Sequence, residues 1–288
     1  MRGRFITFEG GEGSGKSTQA KLLAERLRPF GLGVLLTREP GGSTGAEAIR
    51  HILLSGAAKA LGAHAEAILF AAARDDHVRQ TIRPALDAGK WVISDRFADS
   101  TRIYQGTLGN VDPRLIARLE HITIGDTRPD LTIVLDLSVE VGLQRASWRR
   151  GDRAGDRFEA EDRDSHQKLR EAYLELAERD PQRCTLIDGS ADPASVGNAI
   201  WAVVNARLHP AEFRSGRIPH AWLIGGPPGV GKATLAYRMA RFVLANPDPR
   251  APAVQAARSL DVAPDRPAAR RVAAQSHTDL LVLERTPG

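Results

Sequence analysis

The sequence predicts an α/β protein built on a doubly wound, five-stranded parallel sheet with helices on both faces. Three observations carry this. Short apolar, β-rich runs alternate with helical patterns through residues 1–208, the order that builds parallel strands joined by helical crossovers. The first run, Phe5-Ile6-Thr7-Phe8, leads into Gly10-Gly11-Glu12-Gly13-Ser14-Gly15-Lys16-Ser17, which has every fixed position of the phosphate-cradling pattern G-x-x-x-x-G-K-[ST]. Polar residues able to do chemistry (Arg38, Asp95, Arg96 and Asp136) end later runs, at the strand ends where such sheets bind ligands.

The glycine loop places the chain among P-loop NTPases. Glycines let successive backbone N–H groups turn inward toward phosphate oxygens, and the positive end of the following helix adds to the field. Residues Gly10 to Ser17 with Thr18 form the expected ATP site. Lys16 reaches the β/γ-phosphates and the Ser17 hydroxyl holds Mg²⁺. A glycine turn that merely packs a strand on a helix would not need the lysine and hydroxyl in these places. The helical pattern Thr18 to Leu27 follows at once.

The remaining elements come in order. Gly33 to Thr37 reads as a strand ending in Arg38-Glu39-Pro40-Gly41-Gly42, and helical patterns follow at Gly45 to Leu54 and Ala63 to Ala88. Trp91 to Ser94 is the third strand, running into Asp95-Arg96. Leu131 to Asp136 is a near-continuous apolar run, as in a strand covered on both faces. Cys184 to Asp188 is the fifth strand, closed by a helix from Pro193 to about Leu208. Between Arg145 and Asp164 arginines alternate with carboxylates. Charge pattern alone fits a solvated helix pair as well as anything else; its place after the fourth strand favours a mobile helical lid that carries arginines to a transferring phosphate.

After Pro210 the character changes, and residues 1–210 and 211–288 are expected as separate domains. Ala221 to Ile224 reads as a strand, followed by a second phosphate loop, Gly226 to Ala233, in which alanine replaces the Mg²⁺-holding hydroxyl. A helix runs from Leu235 to Ala245, and Asp279 to Glu284 is a last strand. Residues 246–276, rich in Pro, Ala, Arg and Asp, are expected to be linker or disorder. So few elements cannot close a sheet core, and the second P-loop unit is incomplete.

Bulk properties narrow the class. The formal charge of +5 resides wholly in the tail: residues 211–288 carry 11 Lys and Arg against 6 Asp and Glu, leaving 29 of each sign before them. The main body is therefore not a polyanion binder, and any nucleic acid or replication partner would engage the tail. One cysteine, Cys184, excludes an intramolecular disulfide framework. Without a signal region or a run of about 18 apolar residues, the expected location is the cytoplasm, with no membrane association.

Phe70 and Arg74 stand four apart on a helical stretch and face the same way. An aromatic face for a base beside a guanidinium suits a nucleotide pocket, although a helical aromatic is more often core. Here the sequence resembles a known family. Phe8 to Thr18, Thr37 to Gly42, Leu69 to Arg74, Asp95-Arg96-Phe97 with Ser100-Thr101, Tyr104-Gln105-Gly106, and Arg128 to Thr132 look like bacterial thymidylate kinase, in its order and spacing, over residues 1 to about 208. The resemblance implies γ-phosphoryl transfer from ATP to dTMP, giving dTDP and ADP, with Mg²⁺ held at Ser17 and Asp95, and a homodimer. It implies that Phe70 stacks on thymine, Arg74 and Gln105 contact the base, Arg38 and Arg96 hold the acceptor phosphate, and Ser100 and Thr101 line the nucleoside pocket. Glu12 would position the dTMP sugar or a metal-bound water. The loop holds Ser14 and no arginine, so the catalytic arginine is left to the lid, with Arg149, Arg150 and Arg153 as equal candidates. His220 to Lys232 resembles the N-terminal end of the delta-prime subunit of the bacterial DNA polymerase III clamp loader. Two other functions compete with the kinase: a replication scaffold carrying a passenger kinase domain, and a regulatory nucleotide binder without catalysis. The complete front motifs favour the kinase over the first, and Lys16, Ser17, Asp95 and Arg96 over the second.

Overall fold

A computed structural model describes residues 2–150, 162–208, 232–246, 248, 251–257 and 259–273. Five strands, β1 (Phe5–Gly10), β2 (Val34–Arg38), β3 (Trp91–Asp95), β4 (Leu131–Asp136) and β5 (Cys184–Asp188), form one parallel sheet in the order β2-β3-β1-β4-β5. The central strands are the most apolar: every residue of β1 is buried, as is every residue of β4 except its last, whereas edge strands β2 and β5 are partly open. Register sets the chemistry. Phe8 pairs with Asp95, and Arg38 with Asp95 from the other side, so residues 10–17, Arg38, Asp95-Arg96 and Asp136 emerge at one edge. The order turns at β1, whose neighbours β3 and β4 leave in opposite directions, which is where a ligand crevice opens.

Helices α1 (Lys16–Leu27), α2 (Thr44–Leu54), α3 (Gly62–His77), α4 (Arg83–Asp87), α5 (Ala98–Thr101), α6 (Pro113–Ile124), α7 (Val139–Arg150), α8 (Arg163–Arg179) and α9 (Pro193–Leu208) make the connections. The single helix expected over Ala63 to Ala88 is interrupted. A wide turn spans Val78–Ile82, just before Pro84, whose ring blocks the normal bond to the preceding turn. Three helical stretches were not expected: α5 with its continuation Arg102–Leu108, α6, and α8, which begins where the charged stretch ends. Helix α6 carried a legible start. Asp112 caps it by accepting from the Arg114 amide at 2.8 Å, and Pro113 takes the first helical position.

The chain divides into two compact units, residues 1–205 and 206–288. In the second, the helix Lys232–Ala245 lies where a helix was expected. Residues 246–276, expected as linker, instead contain short helices at Pro252–Gln255 and Pro267–Ala273. Their few apolar residues are concentrated: Val254 is buried with Phe242, and Val243, Leu260 and Val262 pack against them. The expected strands at 221–224 and 279–284 lie outside the described residues, as does the second loop up to residue 231.

Candidate active site

The loop after β1 depends on glycine where it approaches the rest of the chain. Gly13 has φ +67°, and a Cβ there would stand 2.0 Å from the carbonyl oxygen of Gly142 in α7. Lys16 folds back on its own loop, donating to the carbonyls of Gly10 at 3.0 Å and Gly11 at 2.6 Å. Burial lowers its pKa to about 8, and Arg96 adds to this against the pull of Glu12, Asp95 and Glu9. The Ser14 hydroxyl donates to Gly11 O at 2.9 Å, tying the loop across itself. Ser17 donates to Asp95 Oδ2, so a hydroxyl and a carboxylate oxygen meet beside the loop.

Arg96 follows directly in the chain with φ +70°, an uncommon conformation for a non-glycine residue. Its turn is held from below: the Arg96 amide donates to Phe8 O at 2.9 Å, and the Phe97 amide to Glu9 Oε1 at 2.8 Å. The guanidinium donates to Ser100 Oγ and Tyr173 Oη, both at 3.2 Å, and lies 5.2 Å from the centre of the Tyr104 ring. Glu9 also accepts from Ser100 Oγ at 2.7 Å and Tyr173 Oη at 3.0 Å. Burial, with Asp99 adding and Arg96 opposing, pushes its carboxyl up to about 7. Glu12 behaves oppositely. Burial would raise it, but Lys16, Arg96 and Arg149 surround it and hold its pKa at about 2. Arg149 Nη2 donates to Glu12 Oε1 at 2.9 Å, and Arg96 Nη2 stands 3.6 Å from Oε2.

These groups share a cleft of about 470 Å³ with the residues expected at the acceptor end. Phe70, Arg74, Ser100, Gln105 and Arg38 line it together with Lys16, Ser17, Asp95, Arg96 and Arg149. Phe70, which as a helical aromatic is more often core, stands on the cleft wall. Arg38 pairs with Glu47 at 2.9 Å at the exposed mouth. Thr101 departs from expectation. It does not line the cleft but lies behind it, 5% exposed, accepting from Arg74 at 2.8 Å. Of the lid candidates, Arg150 closes α7, and Arg153 lies outside the described residues.

On the far side of the loop a second cleft of about 500 Å³ is lined by Gly13, Ser14, Gly15 and Thr18 with Arg145, Arg149 and the segment from Gly189 to Pro193. Arg145 holds that segment by donating to Gly189 O at 2.8 Å and Ser190 O at 3.0 Å. The loop thus sits between two depressions, with Arg149 reaching both.

The family model described as thymidylate kinase matches residues 8–200. The chain belongs to the thymidylate kinase family. The thymidylate kinase of Nitrobacter hamburgensis is 62% identical over 208 residues, covering 72% of this chain and 90% of that one. That of Bradyrhizobium diazoefficiens is 60% identical over 209 residues, covering 73% and 92%. Among solved structures, thymidylate kinase from Ehrlichia chaffeensis superposes with a TM-score of 0.57 at 34% identity, covering 71% of this chain and 99% of that one. Family membership gives the fold its class, a P-loop kinase, and makes the chain an enzyme that phosphorylates dTMP. Four residues of the cleft's surroundings were given no individual role from sequence: Glu9 and Tyr104, seen only within motifs, Arg145, seen only within the charged stretch, and Tyr173. Glu9 and Tyr173 are 164 positions apart, and no local pattern joins them.

Proposed function

We propose that donor and acceptor nucleotides meet in the one cleft where the phosphate loop faces Phe70, and that its residues divide the work of phosphoryl transfer from ATP to dTMP. The observation that carries this is the shared lining: Lys16 and Ser17 at one end, Arg96 and Arg38 between, Phe70, Arg74 and Gln105 at the other. Lys16 leaves the Gly10 and Gly11 carbonyls for the β/γ-phosphates. Arg96, rigidly seated, and Arg38, at the mouth, hold the acceptor phosphate. Glu12, kept ionised, orders the cations around it and positions the acceptor sugar. Arg149 supplies the charge that the loop lacks. The second cleft, beside Gly189, takes the remainder of ATP. Little else is required, since phosphoryl transfer is mostly positioning and charge neutralisation. Ser17 and Asp95 offer two hard oxygens, a donor set that fits Mg²⁺ shared with phosphates; there the ion would neutralise the donor's phosphate oxygens.

Release of ADP tests the assignment. The rate is expected to be highest with dTMP when dUMP, dCMP and dGMP are compared. Phe70→Ala is expected to raise KM for dTMP by about 5- to 150-fold, since stacking contributes about 1–3 kcal/mol per base, with KM for ATP unchanged. An unchanged dTMP KM with a lowered melting temperature would make Phe70 a packing residue instead.

Residues 211–288 are proposed to stand outside the reaction, as the clamp-loader-like segment that their sequence resembles. A chain ending at Pro210 is expected to keep the dTMP kinase rate of the full chain. An ATPase without dTMP that vanishes with Lys232→Ala, but not with Lys16→Ala, would give the tail a reaction of its own and overturn this. Homodimer formation is also proposed: Ile52, Ile68 and Ile122 are exposed on α2, α3 and α6, and α3 packs on both other helices, an apolar set that a second copy would cover. Among the described residues no single helix is long and apolar enough to cross a membrane; we place the enzyme in the cytoplasm, with the nucleotide pool it would use.

A further inference from the structure

Arg74 is 3% exposed, yet it lines the cleft. Its Nε donates to Glu39 Oε2 at 2.8 Å; its Nη2 donates to Thr101 Oγ1 at 2.8 Å and to Phe97 O at 3.3 Å. Among the described residues these bonds leave Nη1 without a protein partner. Glu39 is itself fixed from behind. Its Oε1 lies 3.1 Å from His77 Nδ1, and His77 Nε2 lies 2.7 Å from Thr37 Oγ1. The pattern closes when Nδ1 donates to the carboxylate and Nε2 accepts from the Thr37 hydroxyl, an assignment made by hydrogen-bond logic. The loop following Glu39 shuts down on this set: at Gly42, φ +88°, a Cβ would stand 2.3 Å from His77 Nε2.

A buried carboxylate–guanidinium pair is a poor source of stability, because desolvation offsets most of the attraction. Its use here is geometric. A guanidinium is planar, so holding Nε and Nη2 fixes the direction of the third nitrogen. Nη1 can only donate. A pyrimidine carrying a carbonyl on the facing edge meets it with an acceptor, whereas one carrying an amino group there meets it with a second donor. We propose that Glu39, His77, Thr37 and Thr101 are positioning residues that aim Arg74 Nη1 and thereby set selectivity for an oxo over an amino pyrimidine. This rests on the reading of Arg74 as a base-contacting residue. Because Glu39 directly follows Arg38, the same short segment serves the phosphate and base ends of the acceptor.

The test compares kcat/KM for dTMP and dCMP in the full chain and in Glu39→Gln, Thr101→Val and Arg74→Ala. Glu39→Gln keeps size but cannot hold both Arg74 and His77 as a carboxylate does; Thr101→Val keeps shape and removes one acceptor. The dTMP-over-dCMP ratio is expected to fall about tenfold in Glu39→Gln and about threefold in Thr101→Val, as when a site's polar groups lose their geometry, with KM for ATP unchanged. A purely structural role would lower activity on both nucleotides together. If both variants keep the ratio within about twofold while Arg74→Ala lowers it, the network only supports the fold and the proposal is overturned. If Arg74→Ala leaves the ratio unchanged, the reading of Arg74 fails first. Should Glu39→Gln not fold, Thr101→Val decides alone.

Discussion

Lys16→Ala is expected to lower kcat for dTMP phosphorylation by on the order of 10²–10³-fold, the usual cost of removing one preorganised electrostatic contact to the transition state. The lysine is held in place by the fold, buried and bonded to two carbonyls of its own loop. Entering phosphates offer it full negative charges in exchange for those partial ones. The pH dependence has a definite sign. Burial depresses the Lys16 pKa to about 8 in the free enzyme, so its charge fades as pH rises through 8. Bound triphosphate favours the charged form and raises that pKa. Hence kcat/KM for ATP falls above about pH 8, while kcat, which reports the bound enzyme, holds to higher pH. Near-normal turnover by a folded Lys16→Ala protein would move the phosphate site elsewhere.

How much of this was legible in the sequence follows from what each feature depends on. The strands were readable because β1, β3 and β4 must be apolar on both faces, and the loop because its chemistry depends on glycines and a lysine in fixed places. Phe70 and Arg74 could be placed on one helix face but not assigned to cleft or core, since that depends on what α3 packs against. Glu9 was invisible as a functional residue. It reads as a polar strand end, and only folding brings Phe97, Ser100 and Tyr173 to it, 88 to 164 positions away. Thr101 was no more legible: Ser100 beside it lines the cleft while the Thr101 hydroxyl accepts from Arg74, and a single residue's step along α5 decides between the two.

The two glutamates flanking the loop start show how burial alone does not set a charge. Glu9 and Glu12 are three positions apart, and both lose solvent. Glu9 faces Asp99 and hydroxyls, with Arg96 as its opposing charge, and its pKa rises to about 7. Glu12 faces Lys16, Arg96 and Arg149, and falls to about 2. Arg96 is common to both, so this arginine, proposed to hold the acceptor phosphate, is seated between one carboxyl that bonds its support and another that bonds its neighbours. The seating contacts come from β1, α5 and α8, which ties α8 to the cleft.

Arg149→Ala is expected to lower kcat by on the order of 10³-fold, the range seen when a transition-state arginine is removed, with little change in the Kd of either nucleotide. Sequence left three lid arginines equal. Arg149 now has a position: it reaches the loop at Glu12 and lines the depressions on both sides of it. With donor and acceptor bound as proposed, a group there would face their junction. It is also 58% exposed, so its pairing with Glu12 is weakly held and can be exchanged for phosphate oxygens as charge develops. Glu12 would then act as a holder that keeps the arginine near the loop between turnovers. Glu12→Gln should weaken that hold and lower kcat less than Arg149→Ala does. Single-turnover rates for Arg149→Ala, Arg150→Ala and Arg153→Ala, measured beside ATP and dTMP binding, distinguish the candidates. A full loss in Arg150→Ala or Arg153→Ala with a near-neutral Arg149→Ala would reduce the Arg149–Glu12 pair to a surface contact and pass the catalytic charge to the other residue.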